Sequence, residues 1–218
     1  MGEVIAFTRR SRKVLLSHYM GHAFLALIGY ANFAWIPTFM IRNHGWSATQ
    51  VGFVFGMLIL VFGTTGVFTG GWWADRLRAR GHVDANMRVS MYAALIMLPT
   101  LIAAPLVPSP VLAMALVAPG IFLLSMPFGI APAALQVITP NQMRAQISAL
   151  YLFVANIIGL GLGPTVVALI TDYVFGYDLA VRYSLAIMGG TIAPLAAISL
   201  AFGLKHYRAG LDAAKSWT

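Results

Sequence analysis

Five long stretches without Asp, Glu, Lys or Arg constrain this chain more than any other feature. They are 14–41, 43–74, 89–143, 145–171 and 183–204. A helix needs about 20 apolar residues to cross the hydrocarbon layer of a membrane, and every stretch reaches that length. The chain is 60% hydrophobic and 9% charged, whereas roughly a quarter of the residues in a soluble domain are charged. We therefore expect an integral membrane protein.

The longest stretch, 89–143, has room for two crossings, and the proline-rich segment 105–110 supplies a turn between them. This division predicts six transmembrane helices and an all-α fold. The expected helices are 15–40, 50–72, 88–105, 111–135, 146–171 and 182–204. In this interpretation 1–14 is a basic cytoplasmic linker, 15–204 a six-helix transmembrane half and 205–218 a short cytoplasmic tail. The first apolar stretch exceeds the roughly 7–15 residues typical of a signal peptide, so no targeting signal is expected.

The basic residues predict how the helices are oriented. With six helices both termini lie on one side, and that side holds twelve of the 14 Lys and Arg residues. The other side holds Arg42 and Arg182. Cytoplasmic loops carry an excess of Lys and Arg, so both termini are expected in the cytoplasm. The twelve are Arg9, Arg10, Arg12, Lys13, Arg76, Arg78, Arg80, Arg88, Arg144, Lys205, Arg208 and Lys215.

Several classes of function are disfavoured by the composition. The net charge of +8 comes from short loops and chain ends rather than a continuous basic face, so no nucleic-acid partner is expected. Cysteine is absent, which excludes disulfides and thiolate metal sites. The five histidines form no H-E-x-x-H motif, and no nucleophile, base and acid stand in a recognisable set. We expect no enzyme activity, no cofactor and no bound metal.

A few polar side chains fall in the middle of predicted helices. Tyr30 and Asn32 lie in the first helix and Asn156 in the fifth. Polar groups within a span usually face the bundle interior or a water-filled cavity. The three are therefore candidates for contacts with a substrate, although Tyr30 and Asn32 could equally be buried and bonded to neighbouring helices. For His18, one turn from the cytoplasm, that second interpretation is favoured.

Glycines form a stripe along the second predicted helix. Gly52, Gly56, Gly63, Gly66 and Gly70 share one face, which favours close packing against another helix. The separations Gly66 to Asp75 and Gly163 to Asp172 match, and both pairs are related by a shift of 97 residues. The same shift carries the first three predicted helices onto the last three. This pattern indicates a 3+3 inverted repeat, which is a feature of transporter halves.

The segment 70–81 carries a distinctive pattern of charges. A charge-free run ends there, one acid follows at once, and three arginines stand at alternate positions. The segment resembles the signature loop of the major facilitator superfamily, G-x-L-A-D-R-x-G-R-K, which joins the second and third helices of each six-helix half. Gly71, Ala74, Asp75 and Arg76 match, Arg80 matches as a basic residue, and Trp73, Arg78 and Ala79 depart from the pattern. The resemblance implies a gating role for Gly71, Asp75, Arg76 and Arg80.

Further runs resemble the spinster-type branch of that superfamily in bacteria. They are Gly29-Tyr30, 35–39, 44–47 and 156–164, and the resemblance extends over 5–208. It implies the C-terminal six-helix half of a transporter in the bacterial inner (plasma) membrane. It also implies a central cavity bordered by the first, second, fourth and fifth helices, with the third and sixth facing lipid. The polarity of the helices favours the same division.

Two kinds of function follow from this resemblance. As part of a secondary transporter, the chain would move a small organic or amphiphilic solute by alternating access. It would then need the N-terminal six-helix half, which is absent from the chain, or a second copy of itself. The alternative is a non-transporting membrane subunit or the remnant of a split transporter gene. An upstream reading frame encoding six more helices would favour the first.

Overall fold

The computed structural model describes residues 2–215, which form helices and short connections without any strand. A short N-terminal helix, Gly2–Arg10, precedes six helices long and apolar enough to cross a membrane. Each of the six predicted spans is therefore confirmed. Their bounds are α1 Arg12–His44, α2 Ala48–Ala79, α3 Ala85–Leu106, α4 Pro110–Val137, α5 Asn141–Phe175 and α6 Asp178–Ala214.

Local sequence signals set the ends of the helices. α1 ends at Gly45, whose φ of 68° is a left-handed conformation that glycine adopts without strain. α2 begins with a capping box, in which the Ser47 hydroxyl accepts from the Gln50 backbone N–H and the Gln50 side chain accepts from the Ser47 N–H. At the start of α4 the Ser109 hydroxyl accepts from the backbone N–H of Leu112, without a reciprocal side-chain bond. These caps satisfy N–H groups that the helices leave unpaired.

Contacts among the connecting segments group them at two ends of the bundle. The Asn43 side chain donates to the Leu179 carbonyl at 2.8 Å, and Arg182 donates to the Leu106 carbonyl at 2.6 Å. These bonds bring the α1–α2, α3–α4 and α5–α6 connections to one end, as the alternation of six helices requires. Arg42, the other basic residue at this end, lies 3.8 Å from the carboxylate of Asp178. Both basic residues that depart from the charge bias thus have partners.

The orientation of this bundle in the membrane is a prediction that single cysteines can test, since the chain has no native cysteine. Pro108 and Arg80 are exposed in connections at opposite ends. Pro108→Cys should react with a membrane-impermeant maleimide in intact cells, and Arg80→Cys only after permeabilisation. The reverse pattern would contradict cytoplasmic termini.

The helices differ in how much of their surface this chain covers. Helix α6 packs along α1 and α3, α1 also packs on α5, and α4 packs on α2 and α3. Among the most apolar 18 residues of each helix, 39–44% are buried in α1, α3, α4 and α6, but only 17% in α2 and 22% in α5. The low polarity of α3 and α6 predicted a lipid-facing position. Within this chain both helices are in fact more covered than α2 and α5.

Close helix contacts recur in equivalent positions. Side chains added at Gly66 and Gly70 of α2 would collide with backbone carbonyls of α4, and one at Gly163 of α5 would lie 2.7 Å from the Leu27 carbonyl of α1. A shift of 97 residues carries Gly66 onto Gly163 and places the π-helical turn Ile59–Gly63 almost on the π-helical turn Ile157–Leu162. These features are consistent with the predicted inverted repeat.

The predicted glycine stripe is correct for only part of α2. Gly66 and Gly70 contact α4, but Gly52 and Gly56 are exposed with no neighbouring atom within 4 Å of an added side chain. The periodicity identified one face of the helix. It did not identify how far along that face the neighbouring helix remains in contact.

The last helix extends into the segment predicted as a tail. Tyr207 is 1% exposed, and its hydroxyl donates to the Ala134 carbonyl of α4 at 3.1 Å. One residue later, Arg208 forms an ion pair with Asp84. These contacts keep α6 helical to Ala214. Residues 216–218 lie outside the described chain.

Candidate functional site

A cavity of about 230 Å³ opens between α1, α4 and α5, with contributions from α2 and α3. Most of its wall is apolar, and the three sequence candidates Tyr30, Asn32 and Asn156 all lie on it. Thr100 of α3 also lines the cavity, so the expectation that α3 faces only lipid is wrong at this position. Helices α3 and α4 lie close together here, since a Cβ atom added at Gly120 would be 3.5 Å from the Thr100 hydroxyl. This close approach brings Thr100 to the cavity wall.

Tyr30 and Asn156 form a polar pair across two helices. The Tyr30 hydroxyl donates to Oδ1 of Asn156 at 2.9 Å, and Nδ2 of Asn156 donates to the Leu152 carbonyl at 2.8 Å. The amide is therefore held at both ends, and the tyrosine hydroxyl retains an oxygen lone pair to accept a further bond. Asn32 instead donates from Nδ2 to the Ile28 carbonyl in its own helix, at 2.8 Å. Its amide oxygen is left for the cavity.

The backbone around this pair is irregular. The π-helical turn Ile157–Leu162 follows Asn156 directly, and the Trp35 indole donates to the Pro164 carbonyl at 2.9 Å. π-helical turns often occur at functional sites because they change which residues face a neighbouring helix. The glycines of 156–164 and the Gly163-Pro164 pair were the sequence signals for this irregularity.

The two buried histidines of α1 join three helices. His18 Nε2 lies 3.0 Å from the Ala131 carbonyl of α4, which fixes that nitrogen as the donor. His22 Nδ1 lies 2.9 Å from the His18 carbonyl, and its Nε2 lies 3.1 Å from the Ser90 hydroxyl of α3. The favoured interpretation of His18 as a packed and bonded residue is thus consistent with the structure. His22 and Tyr151 form part of the cavity wall.

The four residues of the signature loop do not form a cluster. Asp75 is exposed and makes no hydrogen bond or ion pair within residues 2–215. Arg76 lies over the Trp72 ring, 5.7 Å from its centroid. Arg80 is also exposed, and Gly71 faces open space. Within this chain Asp75, Arg76 and Arg80 are exposed, whereas Arg78 of the same loop donates to Oδ1 of the buried Asn86.

Asp84 is the buried acid of this region, and sequence reasoning missed it. Its side chain is 1% exposed and accepts from Arg88 at 2.6 Å and from Arg208 at 2.7 Å. Burial by itself favours the protonated form, but the hydrogen bonds and positive charges of the two arginines outweigh it and lower the pKa of the carboxyl. Asp84 therefore ties the start of α3 to the end of α6.

The six apolar helices define a multi-pass membrane protein, and the breaks within them beside a polar pair on an apolar cavity wall are features typical of transporters. An efflux pump of the MFS type from Mycolicibacterium smegmatis is 31% identical over 159 residues, which are 70% of this chain and 35% of the pump. The chain is thus similar to a transporter of the major facilitator superfamily, of which MFS is the abbreviation. No family model matches it.

Two solved structures show the same fold. Both are inward-facing forms of a bacterial homologue of the human lysosomal transporter Spinster. The occupied form has a TM-score of 0.64 and 19% identity, over 91% of this chain and 49% of that protein. The unoccupied form has a TM-score of 0.67 and 18% identity, over 97% and 50%. The chain thus has a spinster-like half fold and spans about half the length of these proteins, and about a third of the efflux pump.

Proposed function

We propose that this chain supplies the C-terminal half of a secondary transporter, which moves a small organic or amphiphilic solute by alternating access with a second six-helix half. The cavity carries this proposal. Ligand sites are concave and mostly apolar, with a few polar groups that fix the orientation of the ligand, and the Tyr30–Asn156 pair provides such groups. The relative is described as an efflux pump, which favours export as the direction of transport.

The uncovered surfaces of α2 and α5 support a second half as the partner. These two helices have the lowest burial of the six. Phe68 of α2 is 75% exposed and Phe153 of α5 is 61% exposed. Lipid tails are the alternative cover for these residues. Elsewhere in this chain, however, apolar helices are covered by protein, since α6 packs along α1 and α3. A six-helix half packed across α2 and α5 would cover both faces and close the cavity between the halves.

Asp75 fits a gating role in that assembly. An exposed carboxylate without a partner in residues 2–215 is available to the free N–H groups at the start of a helix in the other half, where the helix dipole favours negative charge. This contact would hold the cytoplasmic side closed. The same interpretation places both termini of this chain in the cytoplasm and the protein in a bacterial inner membrane.

The first test asks whether the chain transports by itself. Purified chain in liposomes should show no saturable flux of fluorescent amphiphilic dyes, and flux should appear when an N-terminal half encoded upstream is co-reconstituted. Saturable flux from crosslink-free monomers of this chain would contradict the proposal. No flux with any second half, including a second copy, would support the alternative of a non-transporting subunit.

The second test concerns the polar pair. Tyr30→Phe removes the hydroxyl whose remaining lone pair would accept a bond from the solute, so it should weaken solute binding by roughly 5- to 10-fold, as expected for the loss of one hydrogen bond. Because the same hydroxyl bonds Asn156, stability should fall by no more than about 1 kcal/mol. Tyr173→Phe is the matched control, because Tyr173 is 84% exposed and lies away from the cavity. Equal loss of stability and binding in Tyr30→Phe would identify the pair as structural.

A further inference from the structure

The basic residues of this chain differ in whether they have partners. Eight make a hydrogen bond, ion pair or ring contact: Arg42, Arg76, Arg78, Arg88, Arg144, Arg182, Arg208 and Lys215. The side chains of the other six make none within residues 2–215: Arg9, Arg10, Arg12, Lys13, Arg80 and Lys205. Cations left without partners at the end of a membrane-spanning bundle are available to ligands from outside the chain.

Two of these six cations, Lys13 and Lys205, lie where the first turns of α1 pass beside α6, and three more precede Lys13 in the sequence. A side chain added at Gly203 of α6 would lie 2.6 Å from the Ser17 hydroxyl of α1, so the two helices touch there. Lys13 and Lys205 both lie within electrostatic range of His206. Arg9, Arg10 and Arg12 continue the positive surface along the N-terminal helix and the first turn of α1, and all are exposed. We call Arg9, Arg10, Arg12, Lys13 and Lys205 the basic cluster.

Exposed apolar side chains lie next to this cluster on the membrane side. Leu16, which follows Lys13 by about one turn in α1, is 61% exposed. Phe202, which precedes Lys205 and His206 by about one turn in α6, is 63% exposed and packs edge-on against His206 at 5.1 Å. From the end of the bundle inward, a charged surface is therefore followed by an apolar one. A phospholipid has the same order, with a charged headgroup followed by acyl chains.

We propose that the basic cluster binds the headgroups of anionic phospholipids, with Leu16 and Phe202 contacting the upper part of the acyl chains. Juxtamembrane Lys and Arg residues are attracted to anionic membrane surfaces, and their contributions accumulate. The N-terminal helix fits this surface. It carries Arg9 and Arg10 in its last turn, while Val4 and Phe7 pack toward the bundle. The site is independent of the solute cavity, so it does not depend on the proposed transport function.

The test measures lipid binding to the purified full chain by native mass spectrometry, with phosphatidylglycerol, phosphatidylcholine and inorganic phosphate as the probes. Wild type should bind phosphatidylglycerol in preference to phosphatidylcholine. The double variant Lys13→Gln/Lys205→Gln should lose about tenfold in affinity for phosphatidylglycerol. Lys13→Arg/Lys205→Arg should retain it, because the charge is preserved. Arg80→Gln is the matched control, since Arg80 is an unpartnered arginine outside the cluster, and it should bind like wild type.

Three outcomes would overturn the proposal. The first is equal binding of the two phospholipids, and the second is equal loss in Arg80→Gln. The third is competition by inorganic phosphate as strong as that by phosphatidylglycerol, which would indicate a soluble anion. If the double variant does not fold, Arg9→Gln/Arg10→Gln serves in its place, because both residues lie outside the bundle. Unchanged binding in that variant would equally count against the basic cluster.

Discussion

Gly66→Ala should destabilise the chain by about 3 kcal/mol or more, which exceeds the usual cost of overpacking a core. The reason is that the added methyl group would collide with the Phe122 backbone carbonyl of α4, and a backbone atom cannot turn away as a flexible side chain can. Small residues permit this close approach, and van der Waals packing of this kind drives helix association in lipid. Thermal unfolding of purified protein in detergent, followed by circular dichroism, measures the loss.

Gly56→Ala is the control for this substitution. Gly56 lies on the same helix and in the same sequence stripe, but an added methyl group would meet no atom within 4 Å. The variant should be neutral or stabilise the chain by up to about 1 kcal/mol, because alanine favours a helix over glycine. Similar losses in the two variants would mean that the contact with α4 does not account for the effect, because alanine favours a helix over glycine at both positions. A third variant, Gly163→Ala, should behave like Gly66→Ala, because Gly163 approaches the Leu27 carbonyl in the equivalent way.

Asp84→Asn should cost about 2 kcal/mol of stability in this chain, because the buried carboxylate accepts two charge-assisted hydrogen bonds, while the arginines left behind are 20% and 48% exposed to water. The carboxylate is 1% exposed and accepts from two arginines of different helices, and an amide would leave both with a weaker partner. Asp75→Asn is the matched control, because Asp75 is exposed and has no partner within residues 2–215. Unfolding temperatures of the two variants in detergent should differ clearly. A larger loss in Asp75→Asn would make that acid the structural one and contradict its gating role.

The same ion pair predicts how stability depends on pH. The arginines lower the pKa of Asp84 in the folded chain, so its contribution is fully present above the ordinary carboxyl pKa of about 4 and is lost as the pH falls through the lower folded value. Wild type should therefore lose stability below about pH 4, and its advantage over Asp84→Asn should shrink there. A constant difference between the two proteins from neutral pH down to pH 3 would contradict this assignment.

Much of the architecture was predictable because its signals are local. Charge-free length defines a membrane span, since a charge in the hydrocarbon is costly, and proline-rich or capped segments define the connections. The resemblance in the segment 70–81 indicated the superfamily before any contact was known. The candidates Tyr30, Asn32 and Asn156 were also predictable, as polar residues in the middle of apolar helices. Their use in binding a solute is still a prediction.

The helical segments, the alternation of the loops and the polar mid-span residues follow from local sequence patterns. Which of these residues meet depends on how the six helices pack. The Tyr30–Asn156 pair depends on α1 lying against α5 across 126 positions of the chain, and the Asp84–Arg208 pair joins residues 124 positions apart. The packing of the helices also explains why Gly66 contacts a neighbouring helix and Gly56 does not. Periodicity assigns a residue to a face of its helix, but the partner of that face is set by the packing of all six helices together.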